Sequence, residues 1–244
     1  MKKRIVSEYN KDTKKAFSIT INKKLVNKQS KYQKIEIYES NKFGNVLLLD
    51  GCFMFTEKDH HCYHNKCFDL ISQKKNIKNI LIIGGGDFGL VKKLSIIDSI
   101  KSINLIEIDE MVVDLCKKYF PQFFKIKKEF MKKIKISFKD GYIWVKNTNK
   151  KFDLIVVDST DPVGIAKKLF TKNFYRYIYT ALSINGVYIQ QSGSPIIHEK
   201  KIIQPMVKIL NKVKFKNITI NPFVMPCYPS GLWSFMKCER KRYK

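Results

Sequence analysis

Asn79-Ile80-Leu81-Ile82-Ile83, followed at once by Gly84-Gly85-Gly86-Asp87-Phe88-Gly89, restricts the fold more than any other part of the chain. An apolar run of strand length ends in a glycine cluster, and a helix opens at Gly89-Leu90-Val91. A parallel sheet presents a nucleoside in this way: the turn is sharp, and glycines let a ligand come close to the backbone. The next apolar run, Ser102 to Ile106, ends in Glu107-Ile108-Asp109. An acid about twenty positions after the first glycine, at the carboxyl end of the second strand, is placed to take both ribose hydroxyls. The glycine turn alone is a weak signal; with the acidic strand end it predicts a nucleoside on a doubly wound sheet.

Strand and helix signals alternate from there on. Strands are predicted at 79–83, 102–107, 134–138, 153–157, 186–191 and 215–220, with a last one at 231–236. Helices are predicted from 89, at 110–118, 141–147, 171–182 and 197–212, and before the series at 59–73. Such alternation gives a mostly parallel sheet with helices on both faces. Residues 1–57 differ. Strands at 16–21, 32–38 and 45–50, and a hairpin turn at Asp50-Gly51 leading to 52–56, predict a small antiparallel sheet. The strand at 32–38 alternates, which predicts one buried and one solvated face.

The 244 residues, 44% hydrophobic and 13% aromatic, suffice for a full core. The formal net charge of +26 raises the question of nucleic acid. The excess is overwhelmingly Lys, scattered along the chain among Ile and Asn, with no Arg cluster and no basic stripe interleaved with aromatics. It reads as compositional bias, and no nucleic-acid partner is expected. There is no apolar run of membrane-spanning length, and Met1-Lys2-Lys3-Arg4 leads into polar residues, so no membrane partner and no secretory leader are expected. Cysteines at 52, 62, 67, 116, 227 and 238 form no C-x-x-C pair and predict reduced thiols, no metal site and a cytoplasmic protein.

The first four strand ends of the parallel series each carry an acid: Asp87, then Glu107 and Asp109, then Asp140 before Gly141, then Asp158-Ser159-Thr160-Asp161-Pro162. Any one of them could be a helix N-cap. A whole rim of carboxylates repels itself and would repel phosphate. It suits a nucleoside without phosphates together with a cationic co-substrate, as sulfonium nucleosides and amines are.

From about Glu8 to Phe235 the chain resembles the polyamine aminopropyltransferases, spermidine synthases in particular. The matching segments include Tyr32-Gln33, Phe43 to Gly51, Thr56-Glu57-Lys58-Asp59, Tyr63-His64, Gly84 to Asp87, Glu107-Ile108-Asp109, Asp140-Gly141, Asp158 to Gly164, Leu169-Phe170, Gln191 to Pro195 and Tyr228-Pro229-Ser230-Gly231. The resemblance implies an α/β fold: a Rossmann-like, methyltransferase-type doubly wound sheet (58–244) after a small N-terminal antiparallel β domain (1–57). It implies transfer of the aminopropyl group of decarboxylated S-adenosylmethionine to putrescine, giving spermidine and 5′-methylthioadenosine, with no cofactor beyond that co-substrate. It implies Asp158 as proton acceptor, helped by Tyr63 and Tyr228. Asp161, with Ser159, Thr160 and His64, would hold the amine. Gln33, Asp87, Glu107, Asp140, Gly141 and Ile165 would hold the donor. Thr56 to Asp59 would shape the amine end, residues 163–170 would cover the site, and the N-terminal sheet would pair copies into a homodimer or homotetramer.

The chain departs from the family pattern at Ile5, His60, Asn65, Phe88, Ile165 and Lys167, and it ends sooner, at Lys244. Two other readings are a nucleic-acid methyltransferase, whose usual Asn/Asp-Pro-Pro-Tyr strand end is replaced here by Asp158-Ser159-Thr160-Asp161-Pro162, and a degenerate relative that binds methylthioadenosine or polyamine without turnover. The acceptor is putrescine by default; cadaverine or a longer amine differs by only a methylene or two.

Overall fold

The apolar runs marked as strands become the inner strands of one sheet, and their carboxyl ends meet at one crevice. The computed structural model describes residues 4–11, 13–74 and 76–242. Its N-terminal strands are β1 (Arg4–Asn10), β2 (Lys15–Ile21), β3 (Lys23–Gln29), β4 (Lys34–Ser40), β5 (Gly44–Leu49) and β6 (Cys52–Thr56). Then follow α1 (His60–Ser72), β7 (Asn79–Gly84), α2 (Gly89–Leu94), β8 (Ser102–Glu107), α3 (Glu110–Tyr119), α4 (Lys128–Met131), β9 (Ile134–Phe138), α5 (Gly141–Asn147) and β10 (Phe152–Asp158). The chain continues with α6 (Lys172–Ala181), β11 (Leu182–Gln191), α7 (Gln204–Lys212), β12 (Lys216–Val224) and β13 (Leu232–Glu239).

Seven strands form a sheet in the order β12-β13-β11-β10-β7-β8-β9. β7 to β11 are parallel, β13 is antiparallel to β11, and β12 is antiparallel to β13. The strand order reverses between β7 and β10, so the loops after these two neighbours diverge and leave a ligand crevice at their carboxyl ends. Ile80, Leu81 and Ile82 of β7 and Leu154 to Val157 of β10 are fully buried because helices cover both faces. Alternate side chains feed two apolar clusters. One runs from Ile19 to Phe235 and joins the N-terminal strands to α1, α2, α3 and one face of the sheet; the other packs α6 and α7 on the opposite face. No helix among the described residues is long and apolar enough to cross a membrane, and all six cysteines are free thiols.

At the N-terminus, β3 to β6 form a four-stranded antiparallel sheet and β1 pairs with β2 in a separate hairpin. β1 and β3 were not expected. β1 is mostly half-exposed or exposed, and β3 is lysine-rich with Val26 its only buried residue, so neither shows a strong period of two. β4 has no solvated face. Glu36 and Tyr38 are buried on it, with Glu36 bonded to Lys24 (2.9 Å), Lys34 (3.0 Å) and the Tyr38 hydroxyl (2.8 Å). The helix expected at 197–212 is instead a π turn, Glu199–Ile203, running into α7. Pro205, in the first turn of α7, has no N–H to extend the α ladder backwards, and the wider turn takes its place.

Phe88 sits at the N-cap of α2 with φ 65°, a left-handed backbone that favours glycine. Its ring is buried and stacks on Phe124 at 4.4 Å between centroids. Ring burial outweighs backbone strain here. Phe88→Gly is expected to relieve about 1–2 kcal/mol of strain and forfeit about 3–5 kcal/mol of packing. Urea unfolding should therefore show a net loss of about 1–4 kcal/mol; an unchanged or raised midpoint would contradict this.

Candidate active site

A cleft of about 480 Å³ opens at the β7/β10 reversal. Its floor is the glycine turn. Gly84 has φ 84°, and a Cβ there would lie 2.0 Å from the Asp158 carbonyl oxygen. The ends of β7 and β10 can therefore meet only through glycine, and the Gly85 N–H donates to that same carbonyl at 3.0 Å. Gly89 has the same role between helices, since a Cβ would lie 2.0 Å from the His64 ring. These contacts bring Asp158, Asp87 and His64 to one place.

The Tyr63 hydroxyl donates to Asp158 Oδ1 at 2.5 Å. Burial drives the Tyr63 pKa well above its usual value, so it remains a phenol and a donor. Burial and the neighbouring Asp87 push the Asp158 carboxyl up to about 6, against the opposing pull of Tyr63 and His64. His64 Nε2 lies 3.3 Å from Asp87 Oδ2, and the Gly89 N–H donates to Asp87 Oδ1 at 2.7 Å. Burial opposes charge on both partners of the His64–Asp87 pair. Their attraction wins, leaving Asp87 below the ordinary carboxylate range and His64 above the ordinary imidazole range. His60 Nδ1 is 3.3 Å from His64 Nδ1, and burial together with the charge on His64 lowers its pKa to about 4.

Glu107 closes β8 with Oε1 accepting the N–H groups of Ile108 (2.7 Å) and Asp109 (3.0 Å). Burial outweighs these donors and raises its pKa to about 7. Asp109 does not line the cleft. It caps α3 through the Met111 N–H and accepts from Ser30 Oγ (2.6 Å) and Gln33 Nε2 (3.0 Å), which holds Gln33 in the wall. Asp140 caps α5 by accepting from Tyr142 and Ile143 N–H, and its other oxygen pairs with Lys168. Gly141 and Ile165 line the same wall. Residues 164–170 form a 3₁₀ helix that buries Ala166 and Leu169.

At the other end lie Asp161, Ser159, Thr160, Gln191, Tyr228 and Trp233. Gln191 Nε2 donates to Asp161 Oδ1 at 3.2 Å, and Ser159 Oγ donates to the Thr160 carbonyl. Burial raises the Asp161 pKa against His198 and Gln191. The Tyr228 hydroxyl donates to the Met54 carbonyl at 2.9 Å, not to Asp158. Thr56 and Asp59, expected at the amine end, do not line the cleft. They are buried against each other, Thr56 Oγ1 to Asp59 Oδ1 at 2.5 Å, and shape the start of α1.

Glu8 lies at this end and was given no role from sequence. Burial raises its pKa to about 7 although it accepts the Phe53 N–H at 2.7 Å, and Asp161 adds to the rise. Its signal, a lone acid in a weakly patterned strand, could be read only once β1 was known. Every other site residue expected from sequence (Gln33, Tyr63, His64, Asp87, Glu107, Asp140, Gly141, Asp158, Ser159, Thr160, Asp161, Ile165 and Tyr228) lines the one cleft. No cluster that could hold a metal ion occurs among the described residues.

Lys168 and His64 are the only basic residues among the described lining residues, and each faces a carboxylate. A crevice at the switch point of such a sheet is where ligands bind, and its carboxylate walls suit a nucleoside beside a cationic group. The chain is a member of the polyamine aminopropyltransferase family: the "Spermine/spermidine synthase domain" matches residues 68–244 and the "Spermidine synthase tetramerisation domain" matches 6–57. It is an aminopropyltransferase. The polyamine aminopropyltransferase of Clostridium botulinum (strain Eklund 17B / Type B) is 41% identical over 237 residues, 92% of this chain and 79% of the relative. That of Methanocaldococcus jannaschii is 38% identical over 232 residues, 93% of this chain and 76% of the relative. A spermidine synthase solved in complex with the transition state analogue AdoDATO superimposes with TM-score 0.88 at 30% identity, covering 98% of this chain and 82% of that one. Thermotoga maritima spermidine synthase gives 0.86 at 30%, covering 98% and 81%.

Proposed function

We propose that this chain transfers the aminopropyl group of decarboxylated S-adenosylmethionine to putrescine, giving spermidine and 5′-methylthioadenosine. The observation that carries the reading is Asp158: a half-buried carboxylate at the reversal of strand order, bonded to a phenol and raised to about 6. An amine nitrogen attacks the carbon beside the sulfonium, the N–C bond forms as the C–S bond breaks, and the electron pair leaves with sulfur. A diamine is protonated near neutral pH, so the attacking nitrogen must first give up a proton, and Asp158 is the acceptor. Tyr63 orients its carboxylate.

Glu107 would take the ribose hydroxyls, Gln33 and Asp87 the rest of the donor, and Asp140, Gly141 and Ile165 the adenine side. Asp161, Ser159, Thr160, His64 and Tyr228 would hold the acceptor, with Glu8 available to a distal ammonium. Residues 163–170 would exclude water. No cofactor other than the donor is invoked, and holding both substrates together can supply about 7–11 kcal/mol of the barrier. The carboxylate walls support small cationic substrates over nucleic acid. The reading extends to a cytoplasmic protein organised as 1–57 and 58–244.

Methylthioadenosine release is the test, with decarboxylated S-adenosylmethionine and a panel of putrescine, cadaverine and spermidine. Release that depends on putrescine is expected. No release with any amine, from protein that binds methylthioadenosine, would overturn the reading in favour of a binder without turnover. The tetramerisation-domain match and the exposed Ile5 and Tyr9 of β1 support a homodimer or homotetramer. Light scattering is expected to give two or four times the 28.7 kDa chain mass, and a monomer peak would contradict it.

A further inference from the structure

Gln191, at the end of β11, has its side-chain amide held from both sides. Its Oε1 accepts hydrogen bonds from the Trp233 indole Nε1–H at 3.1 Å and from the Gly193 backbone N–H at 3.1 Å. Both partners can only donate, so the oxygen must face them and the NH₂ must point the other way. There it donates to Asp161 Oδ1. Gln191 and Trp233 are 3% and 9% exposed, so little of either side chain is open to water.

We propose that Trp233 is a positioning residue of the transfer: its indole N–H fixes the Gln191 amide, and the amide aims Asp161 Oδ1 at the acceptor end of the cleft. This rests on the reading of Asp161 as an amine-binding carboxylate. A turned amide would set its oxygen against the Asp161 carboxylate and its NH₂ against two other donors, replacing three attractions by three repulsions. The indole is itself fixed, edge-on to Tyr228 at 4.6 Å and to His198 at 5.6 Å. Glu8 from β1, Cys52 from β6, Gln191 and His198 from β11 and the segment after it, and Tyr228 from the turn before β13 are the titratable and polar groups that face Asp161.

Trp233→Phe keeps an aromatic ring and removes the N–H. It is expected to raise the acceptor KM about threefold to tenfold, the range one ordinary hydrogen bond controls, with kcat and donor KM changed less than about twofold. Carbon-13 NMR titration of Asp161 should show its pKa moving upward, because the Gln191 donor no longer holds its place. Gln191→Glu leaves Trp233 and Gly193 their acceptor but turns an oxygen toward Asp161, and should raise the acceptor KM further than Trp233→Phe does. An unchanged acceptor KM and Asp161 titration in Trp233→Phe would overturn the proposal, as would acceptor and donor KM rising together. If the wild-type protein turned over no amine, the aminopropyl reading would fall, and the Asp161 titration alone would decide the role of Trp233.

Discussion

Asp158→Asn is expected to lower kcat about a hundredfold to ten-thousandfold, the range a positioned general base supplies, while methylthioadenosine affinity by calorimetry stays within about threefold. The asparagine oxygen can still accept from Tyr63, so the wall keeps its shape and loses only the proton acceptor. In the wild-type enzyme the same group sets the acid limb of the rate profile. Asp158 must be ionised to take the proton, so kcat/KM for the amine should fall as pH drops through about 6. Asp158, Asp87 and His64 interact, and the limb reports the cluster. Equal loss of turnover and methylthioadenosine affinity in Asp158→Asn would remove it from the role of base.

The unliganded protein is expected to be more stable near pH 5 than near pH 8. Glu8, Glu107 and Asp158 titrate at about 7, about 7 and about 6 in the fold, against ordinary values of 4.5, 4.5 and 3.8. Between those limits the folded chain binds more protons than the unfolded chain, so stability falls as pH rises through the window. Each carboxyl contributes on the order of 3 kcal/mol. His64, held above the ordinary imidazole range, adds to the fall on the alkaline side; Asp87, held below its ordinary range, acts only in more acid solution. Urea unfolding across pH 5 to 8 checks this, and Glu107→Gln should flatten the slope. A cationic amine bound at pH 8 should recover much of the loss. Stability that rose from pH 5 to 8 would show that the carboxylates are better compensated than their burial indicates.

What could be read from the sequence was set by how strongly each segment is buried. β7, β8 and β10 are covered on both faces, so their apolar runs and acidic ends announce the sheet and the rim. β1 and β3 bury too little to impose alternation, and Glu8 stayed without a role along with β1. The acids were visible but their partners were not. That Asp109 serves Ser30 and Gln33, that Asp140 meets Lys168, or that Tyr228 bonds Met54 depends on contacts across long stretches of chain. Phe88 shows the limit of a local rule: its position calls for glycine, and only the ring of Phe124, far along the chain, explains why phenylalanine is there.

The sheet order bears on how the enzyme is made. β13 lies between β11 and β12, although it follows both in the chain. The outer edge of β11 therefore has no partner until β13 is made, and β12 reaches the sheet only through β13. Tyr228 and Trp233, which flank the acceptor end, arrive in that same closing stretch. The nucleoside half of the cleft thus rests on strands made early in the chain, whereas the amine half is complete only once β13 is in place.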